Sequence, residues 1–170
     1  VLTKKIQMVA IIGDKQFFST THTLIADRNH WIITPTKKEQ LLEFRLESEE
    51  GEINYPNGLL KWEVINAVEN VIAETNLNEI LLDADALSFP LTLRLWQKGD
   101  WFCPLGMKGK RKKISDFLID NKVPRNLKEK VYILETEGKI AWVVSFRPDE
   151  RFKVNEKTKK YIKFSNNITI

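Results

Sequence analysis

Cysteine is almost missing from this chain: Cys103 is the only one in 170 residues. No internal disulfide can form, and zinc centres built from clustered cysteines are excluded. The lone thiol is compatible with a reducing compartment, so a cytoplasmic location is expected. Histidine is equally scarce, with only His22 and His30. They flank an expected turn and could meet across a hairpin, but strand-surface histidines are the simpler reading and no metal site is expected. Long hydrophobic runs are also lacking. Met8–Ile12 and Ala141–Phe146 fall far short of the roughly 20 apolar residues that a membrane span needs. No apolar core followed by a cleavage site marks a signal peptide. The first residue is Val1 rather than Met, so a piece of a longer protein is expected.

What is present is an ordinary globular composition, 42% hydrophobic, 29% charged and 10% aromatic, enough for one domain or two small ones. The net charge of +4 hides a strong asymmetry. Residues 1–90 hold eight basic and fourteen acidic residues, a net of −6, whereas residues 91–170 hold nineteen basic and nine acidic, a net of +10. Such a surplus attracts polyanions, of which nucleic acid is the commonest partner.

The pattern along the chain predicts α+β structure in two small modules, a β-rich part over 1–88 and a layered α+β domain over 89–170, divided near Ser88–Pro90 where the charge changes sign. Residues 16–35 read as two strands broken at Asp27-Arg28-Asn29. Leu41–Leu46, Leu60–Asn66 and Glu79–Asp83 are further strands, the acidic Glu47–Asn57 segment is a loop, and Asp83–Ser88 is one helical turn. In the second half, Leu91–Trp96 is a strand, Gln97–Lys110 a loop, and Lys113–Asn121 a helix capped by Ser115. Pro124–Lys130 is a short helix, Val131–Glu135 and Ile140–Phe146 form a hairpin around Glu137-Gly138, and Lys159–Phe164 is a last strand.

The loop from Gly99 to Lys113 invites comparison with a phosphate-binding P-loop and fails it: Gly106 and Gly109 have the wrong spacing, and no Ser or Thr follows Lys110. It is a glycine-flexed turn feeding the cations Lys108, Lys110, Arg111, Lys112 and Lys113. Cations at a helix start oppose the helix dipole, which suggests that an anionic ligand needs them. Cys103 and Asp100 are the candidates for an independent enzymatic site, although neither histidine is near Cys103 in sequence. Asp83 and Asp85 read as turn caps. No SGGxDS-type ATP-pyrophosphatase loop is present. Trp96, Trp101, Phe102, Trp142, Phe146 and Phe152 are interleaved with the bases, as in platforms for unpaired nucleobases. Trp142 and Phe146 sit in an apolar strand and read as core; Trp101 is the surface candidate.

The ordered series Leu93-Arg94, Gly99-Asp100, Pro104-Leu105-Gly106, Gly109, Lys112-Lys113-Ile114, Asp116-Phe117, Val123-Pro124-Arg125, Ile140-Ala141-Trp142-Val143 and Asp149-Glu150-Arg151-Phe152-Lys153-Val154 resembles the C-terminal domain of the tRNA(Ile)-lysidine synthase family over residues 90–164. The resemblance implies a fold similar to a domain of the bacterial phenylalanyl-tRNA synthetase β-subunit. It implies a parent that uses ATP and Mg to join lysine to C2 of the wobble cytidine of tRNA(Ile) with a CAU anticodon. That chemistry is implied for an N-terminal ATP-pyrophosphatase domain missing here, so this piece is expected to hold tRNA without catalytic residues, cofactor or metal of its own. A homodimer of the parent is left open. Two departures stand out. Lys128 and Lys130 occupy positions where many members carry arginine, and Ser145 stands where a glycine usually closes the Trp-Val strand.

The expected phosphate contacts are Arg94, Lys98, Lys108, Lys110, Arg111, Lys112, Lys113, Arg125 and Lys128, with Arg147, Arg151 and Lys153 as a secondary patch. The alternative is a structural or protein-interaction module, in which the acidic residues 47–52 shield the basic run.

Overall fold

The chain is described by a computed structural model covering residues 16–18, 22–27, 30–35, 43–66 and 78–168. Its compact units are Val1–Gln40 and Leu41–Ile170. In the first unit β1 (Gln16–Phe18), β2 (His22–Asp27) and β3 (His30–Pro35) form a three-stranded antiparallel sheet in that order. The expected break at 27–29 separates β2 from β3, and residues 28 and 29 lie outside the described residues. The register pairs Asp27 with His30 and His22 with Pro35. The two histidines therefore lie at opposite ends of the ladder and do not meet across the hairpin.

The second unit is built on two sheets. One has the order β5 (Gly51–Tyr55), β6 (Gly58–Asn66), β14 (Lys160–Ile168), β7 (Glu79–Asp83). The other runs β13 (Arg147–Pro148), β12 (Lys139–Val143), β11 (Tyr132–Thr136), β8 (Leu91–Leu95), β4 (Phe44–Leu46). Helices α1 (Ile114–Asp120) and α2 (Arg125–Lys128) and the short pair β9 (Trp101–Phe102) and β10 (Lys112–Lys113) complete it. The fold is mostly β with few helices and belongs to the α+β class.

Strand alternation assigns the core. Leu91, Leu93, Tyr132, Leu134 and Trp142 face Leu60, Trp62, Leu82 and Phe164 in one cluster between the sheets. On the other side of the five-stranded sheet, Ile133 and Val143 pack with Phe102, Ile114, Phe117 and Leu118 in a second cluster. The result is a sheet, a sheet and a helix in layers. The Trp142 indole is fully buried, and its Nε1–H meets no acceptor among the described residues. An unpaired buried donor costs about 1–3 kcal/mol, which offsets much of what a smaller ring would lose. Trp142→Phe is therefore expected to change unfolding free energy by less than about 1 kcal/mol, against about 3–5 kcal/mol for Trp142→Ala. Urea denaturation of both variants checks this.

Three expectations are corrected. Residues 47–57 are not all loop: Gly51–Tyr55 pairs with β6 through a tight turn, with Tyr55 opposite Gly58. Ser115 does not cap α1; Lys113 holds the cap position without a side-chain bond, and Ser115 Oγ donates to Asp116 instead. The division near Ser88–Pro90 is not a structural break. Strand β14 lies between β6 and β7, and β4 pairs with β8, so strands from both sides of that point share each sheet.

The Glu137-Gly138 hairpin forms as expected, with φ of 47° and 72° at its turn. Ser145 has a φ of 62°. This is the left-handed region that glycine enters without strain, so a glycine at this position would fit the backbone. The serine is held by Asn166, whose Nδ2 donates to Ser145 Oγ at 2.7 Å. Asn166 in turn accepts from the Tyr55 hydroxyl at 2.8 Å. Burial pushes the Tyr55 pKa up to about 12, so this hydroxyl remains a donor.

Candidate nucleic-acid interface

The loop from Gly99 to Lys113 is the centre of the site. Its two arms pair as β9 and β10, Trp101 with Lys113 and Phe102 with Lys112. Alternation then sorts the cations. Phe102 points into the core, where its ring meets that of Phe117 at 5.0 Å between centroids. Lys112 shares that side and forms an ion pair with Asp120 at the end of α1. Trp101 and Lys113 take the opposite side, and Arg111 reaches the same indole diagonally across the strands. The guanidinium carbon of Arg111 lies 4.1 Å from the Trp101 ring centroid.

The tip of the loop turns through Pro104–Lys110, where Gly106, Lys108 and Gly109 all have positive φ. The glycines carry this conformation without strain, whereas Lys108 tolerates it as a single residue. Residues 147–153 staple the loop in place. Leu105 N–H donates to the Pro148 carbonyl at 3.0 Å, and Glu150 N–H donates to the Cys103 carbonyl at 2.7 Å. Gly109 N–H donates to Glu150 Oε2 at 2.9 Å. That bond, followed by the one from Lys153, holds the Glu150 carboxyl below the usual carboxylate range.

Asp149 anchors the staple. It is fully buried and accepts from Cys103 N–H at 2.7 Å, from Arg151 N–H at 2.8 Å, and from Arg151 Nε and Nη2 at 2.9 and 2.7 Å. These bonds hold the Arg151 guanidinium above its ordinary pKa against the opposing effect of burial. Arg151 also lies on Trp101, with its guanidinium carbon 5.0 Å from the ring centroid.

The expected phosphate ligands thus fall into two sets. Arg94 is a structural residue: its side chain is 13% exposed and its guanidinium donates to Asp100 at 2.9 and 3.1 Å and to Glu135 at 3.0 and 2.5 Å. Burial alone would lower its pKa, but these two carboxylates reverse the direction and raise it. Lys112, Arg151 and Lys153 are likewise committed, to Asp120, Asp149 and Glu150. Their charges are balanced locally, and the Lys153 side chain stays 48% exposed. Lys98, Lys108, Lys110, Arg111, Lys113, Lys128 and Arg147 form no ion pair among the described residues. All are exposed except Lys128, which is half-buried. Arg147 Nη1 reaches the Leu105 carbonyl at 3.4 Å, which joins it to the loop. The Arg125 side chain lies outside the described residues. Trp96 Nε1 donates to the Lys128 carbonyl at 2.6 Å, fixing the backbone of α2 without engaging the Lys128 ammonium.

The other readings find less. Burial, followed by the charge of Asp149, pushes the Cys103 thiol above its ordinary pKa, which disfavours a nucleophilic thiolate. Asp100 is occupied by Arg94 and by Gln97 N–H at 2.7 Å. A groove of about 440 Å³, lined by Tyr55, Leu127, Tyr132, Phe146, Asn166 and others, includes neither residue. Its polar groups Tyr55, Asn166 and Ser145 satisfy one another. Asp83 caps the following turn through Asp85 N–H at 3.0 Å, as expected. Within the acidic stretch, Glu47 and Glu52 pair with Arg45 and Lys61, and no ion pair joins residues 47–52 to the basic run. Among the described residues no group of three or more His, Cys, Asp or Glu side chains converges to hold a metal, and no helix is long and apolar enough to cross a membrane.

The sequence reading did not foresee Asp149 and Glu150 as staples, or Trp101 as a support for guanidinium groups. The only signal was the Asp149-Glu150-Arg151-Phe152 run within the resemblance.

Comparison with known proteins agrees with this picture. Residues 91–164 match the family described as the TilS substrate C-terminal domain. The tRNA(Ile)-lysidine synthase of Parabacteroides distasonis is 42% identical over 148 residues, covering 87% of this chain and 33% of that protein. The enzyme of the same name from Bacteroides thetaiotaomicron is 36% identical over 150 residues, covering 87% and 32%. A crystal structure of a TilS C-terminal domain superposes with a TM-score of 0.63 at 22% identity, covering 75% of this chain and 98% of that one, and supports the fold. The chain spans about a third of the length of the curated relatives it matches. Residues 91–164 are thus a TilS substrate C-terminal domain, in a chain that resembles the corresponding third of tRNA(Ile)-lysidine synthases over 87% of its length.

Proposed function

We propose that this chain is the tRNA-holding portion of a tRNA(Ile)-lysidine synthase, and that the unpaired cations on and beside the stapled loop grip the phosphate backbone of tRNA. The observation that carries this reading is the sorting of charge. Lys108, Lys110, Arg111, Lys113 and Arg147 have no carboxylate partner among the described residues, while neighbouring cations are paired with the carboxylates that fix the loop. A rigid support bearing unneutralised cations fits a polyanion, and backbone contact is how helical RNA is held, because its deep groove denies side chains the base edges. Lys98, Arg125 and Lys128 are further candidates for the same role.

The parent protein would ligate lysine to the wobble cytidine of tRNA(Ile) with a CAU anticodon, in the cytoplasm. That chemistry is assigned to an N-terminal ATP-pyrophosphatase domain, and this portion is assigned no catalytic residue. The rival reading, a self-shielded structural module, is disfavoured because Glu47 and Glu52 pair with Arg45 and Lys61 and, among the described residues, no ion pair joins residues 47–52 to the basic run.

A mobility-shift titration of the chain against tRNA(Ile) and an unrelated tRNA tests the proposal. Binding that weakens steeply with salt and favours tRNA(Ile) is expected. No shift with either tRNA in the range of about 10⁻⁴–10⁻⁶ M, where even non-specific binders respond, would exclude it.

A further inference from the structure

Arg111 is the only arginine in the run Lys108, Lys110, Arg111, Lys112, Lys113, and it is the member that sits on an aromatic ring. Guanidinium stacks on an indole face far better than ammonium does, because it is planar and weakly hydrated. We infer that Trp101 is a positioning residue: its indole orients the Arg111 guanidinium as the directional phosphate ligand of the patch, and it does not serve as a platform for a nucleobase. The inference rests on the proposed tRNA-holding role and names how its central contact is built.

Three observations support it. The Trp101 ring is already engaged by two guanidinium groups, Arg111 at 4.1 Å and Arg151 at 5.0 Å, so its ring surface already has cationic partners. The two cations can share one ring because Asp149 neutralises Arg151 through its paired bonds at 2.9 and 2.7 Å. The charge that the stack presents is therefore that of Arg111. Finally, Arg111 makes no ion pair among the described residues, so stacking fixes its plane while its N–H groups stay available. A guanidinium held this way can meet a phosphate with two parallel bonds, whereas the flanking lysines act as mobile point charges.

Salt-dependent binding of the chain to tRNA(Ile) separates orientation from charge. Arg111→Ala should flatten the slope of log affinity against log salt by about 0.7–0.9. Arg111→Lys and Trp101→Leu keep the charge, so both should keep the slope while weakening binding about two- to five-fold. In the Arg111→Ala background, Trp101→Leu should weaken binding no further. Trp101→Phe retains a ring and should recover most of the loss, and it covers the case in which Trp101→Leu fails to fold. Further loss from Trp101→Leu on top of Arg111→Ala, or unchanged binding by Arg111→Lys, overturns the inference. Either result, with the unsubstituted chain binding normally, leaves the tRNA-holding reading intact. Failure of the unsubstituted chain to bind strikes that reading instead.

Discussion

Replacing Lys108, Lys110 and Arg111 together by alanine should weaken tRNA binding by roughly 100-fold at 0.15 M salt. Each phosphate contact contributes about 0.7–0.9 to the salt slope, so losing three flattens it by about 2–3. At 1 M salt screening removes most of that term; carried back to 0.15 M, the difference amounts to about two decades in Kd. None of the three side chains forms an ion pair among the described residues and all are exposed, so stability should change by less than about 0.5 kcal/mol per site. The control is Arg94→Ala, which removes one positive charge, that of a guanidinium held by Asp100 and Glu135. That variant should destabilise the fold without contributing a phosphate contact. An unchanged salt slope in the triple variant, measured by filter binding, would remove the loop from the interface.

Asp149→Ala is expected to cost about 3–5 kcal/mol of unfolding free energy, the range for breaking one side of a buried ion pair. The substitution strands the Cys103 N–H and releases Arg151, whose side chain is 31% exposed. That partial exposure places the value toward the lower end, because water can solvate the freed guanidinium. Urea denaturation gives the stability. The accompanying RNA measurement is more telling. The variant gains one positive charge, so charge counting alone predicts tighter tRNA binding. If the staple fixes the loop, binding weakens despite the added charge. Tighter binding by a folded Asp149→Ala protein would show that the geometry of the loop is unimportant.

Much of the second unit was legible because its signals are local. The Glu137-Gly138 turn, the amphipathic spacing of Ile114, Phe117 and Leu118, and the alternation of Leu91–Leu95 each depend on residues close in sequence. Strand β5 was hidden by the acidic residues just before it, Glu47, Glu49 and Glu50, which make the stretch read as loop; its pairing with β6 follows the turn at Pro56-Asn57. The continuity across Ser88–Pro90 was hidden for a different reason. Nothing local reveals that Lys160–Ile168 lies between β6 and β7, almost a hundred residues earlier in the chain.

The sequence by itself determined that the carboxy-terminal half is basic, that it carries a glycine-flexed loop crowded with cations, and that it is related to a tRNA-modifying family. It could not distinguish Lys112 from Lys113, or Arg94 from Arg111, because each is a cation in similar company. Tertiary structure made those distinctions. Asp120, Glu135 and Asp149 lie 8, 41 and 46 residues from the groups they hold in Lys112, Arg94 and Cys103. Charge–charge and hydrogen-bonding partners act only at a few ångströms, and chain folding alone decides which distant carboxylates arrive within that range. The cations that carboxylates reach are paired within the fold, and the loop cations that they miss stay exposed to solvent.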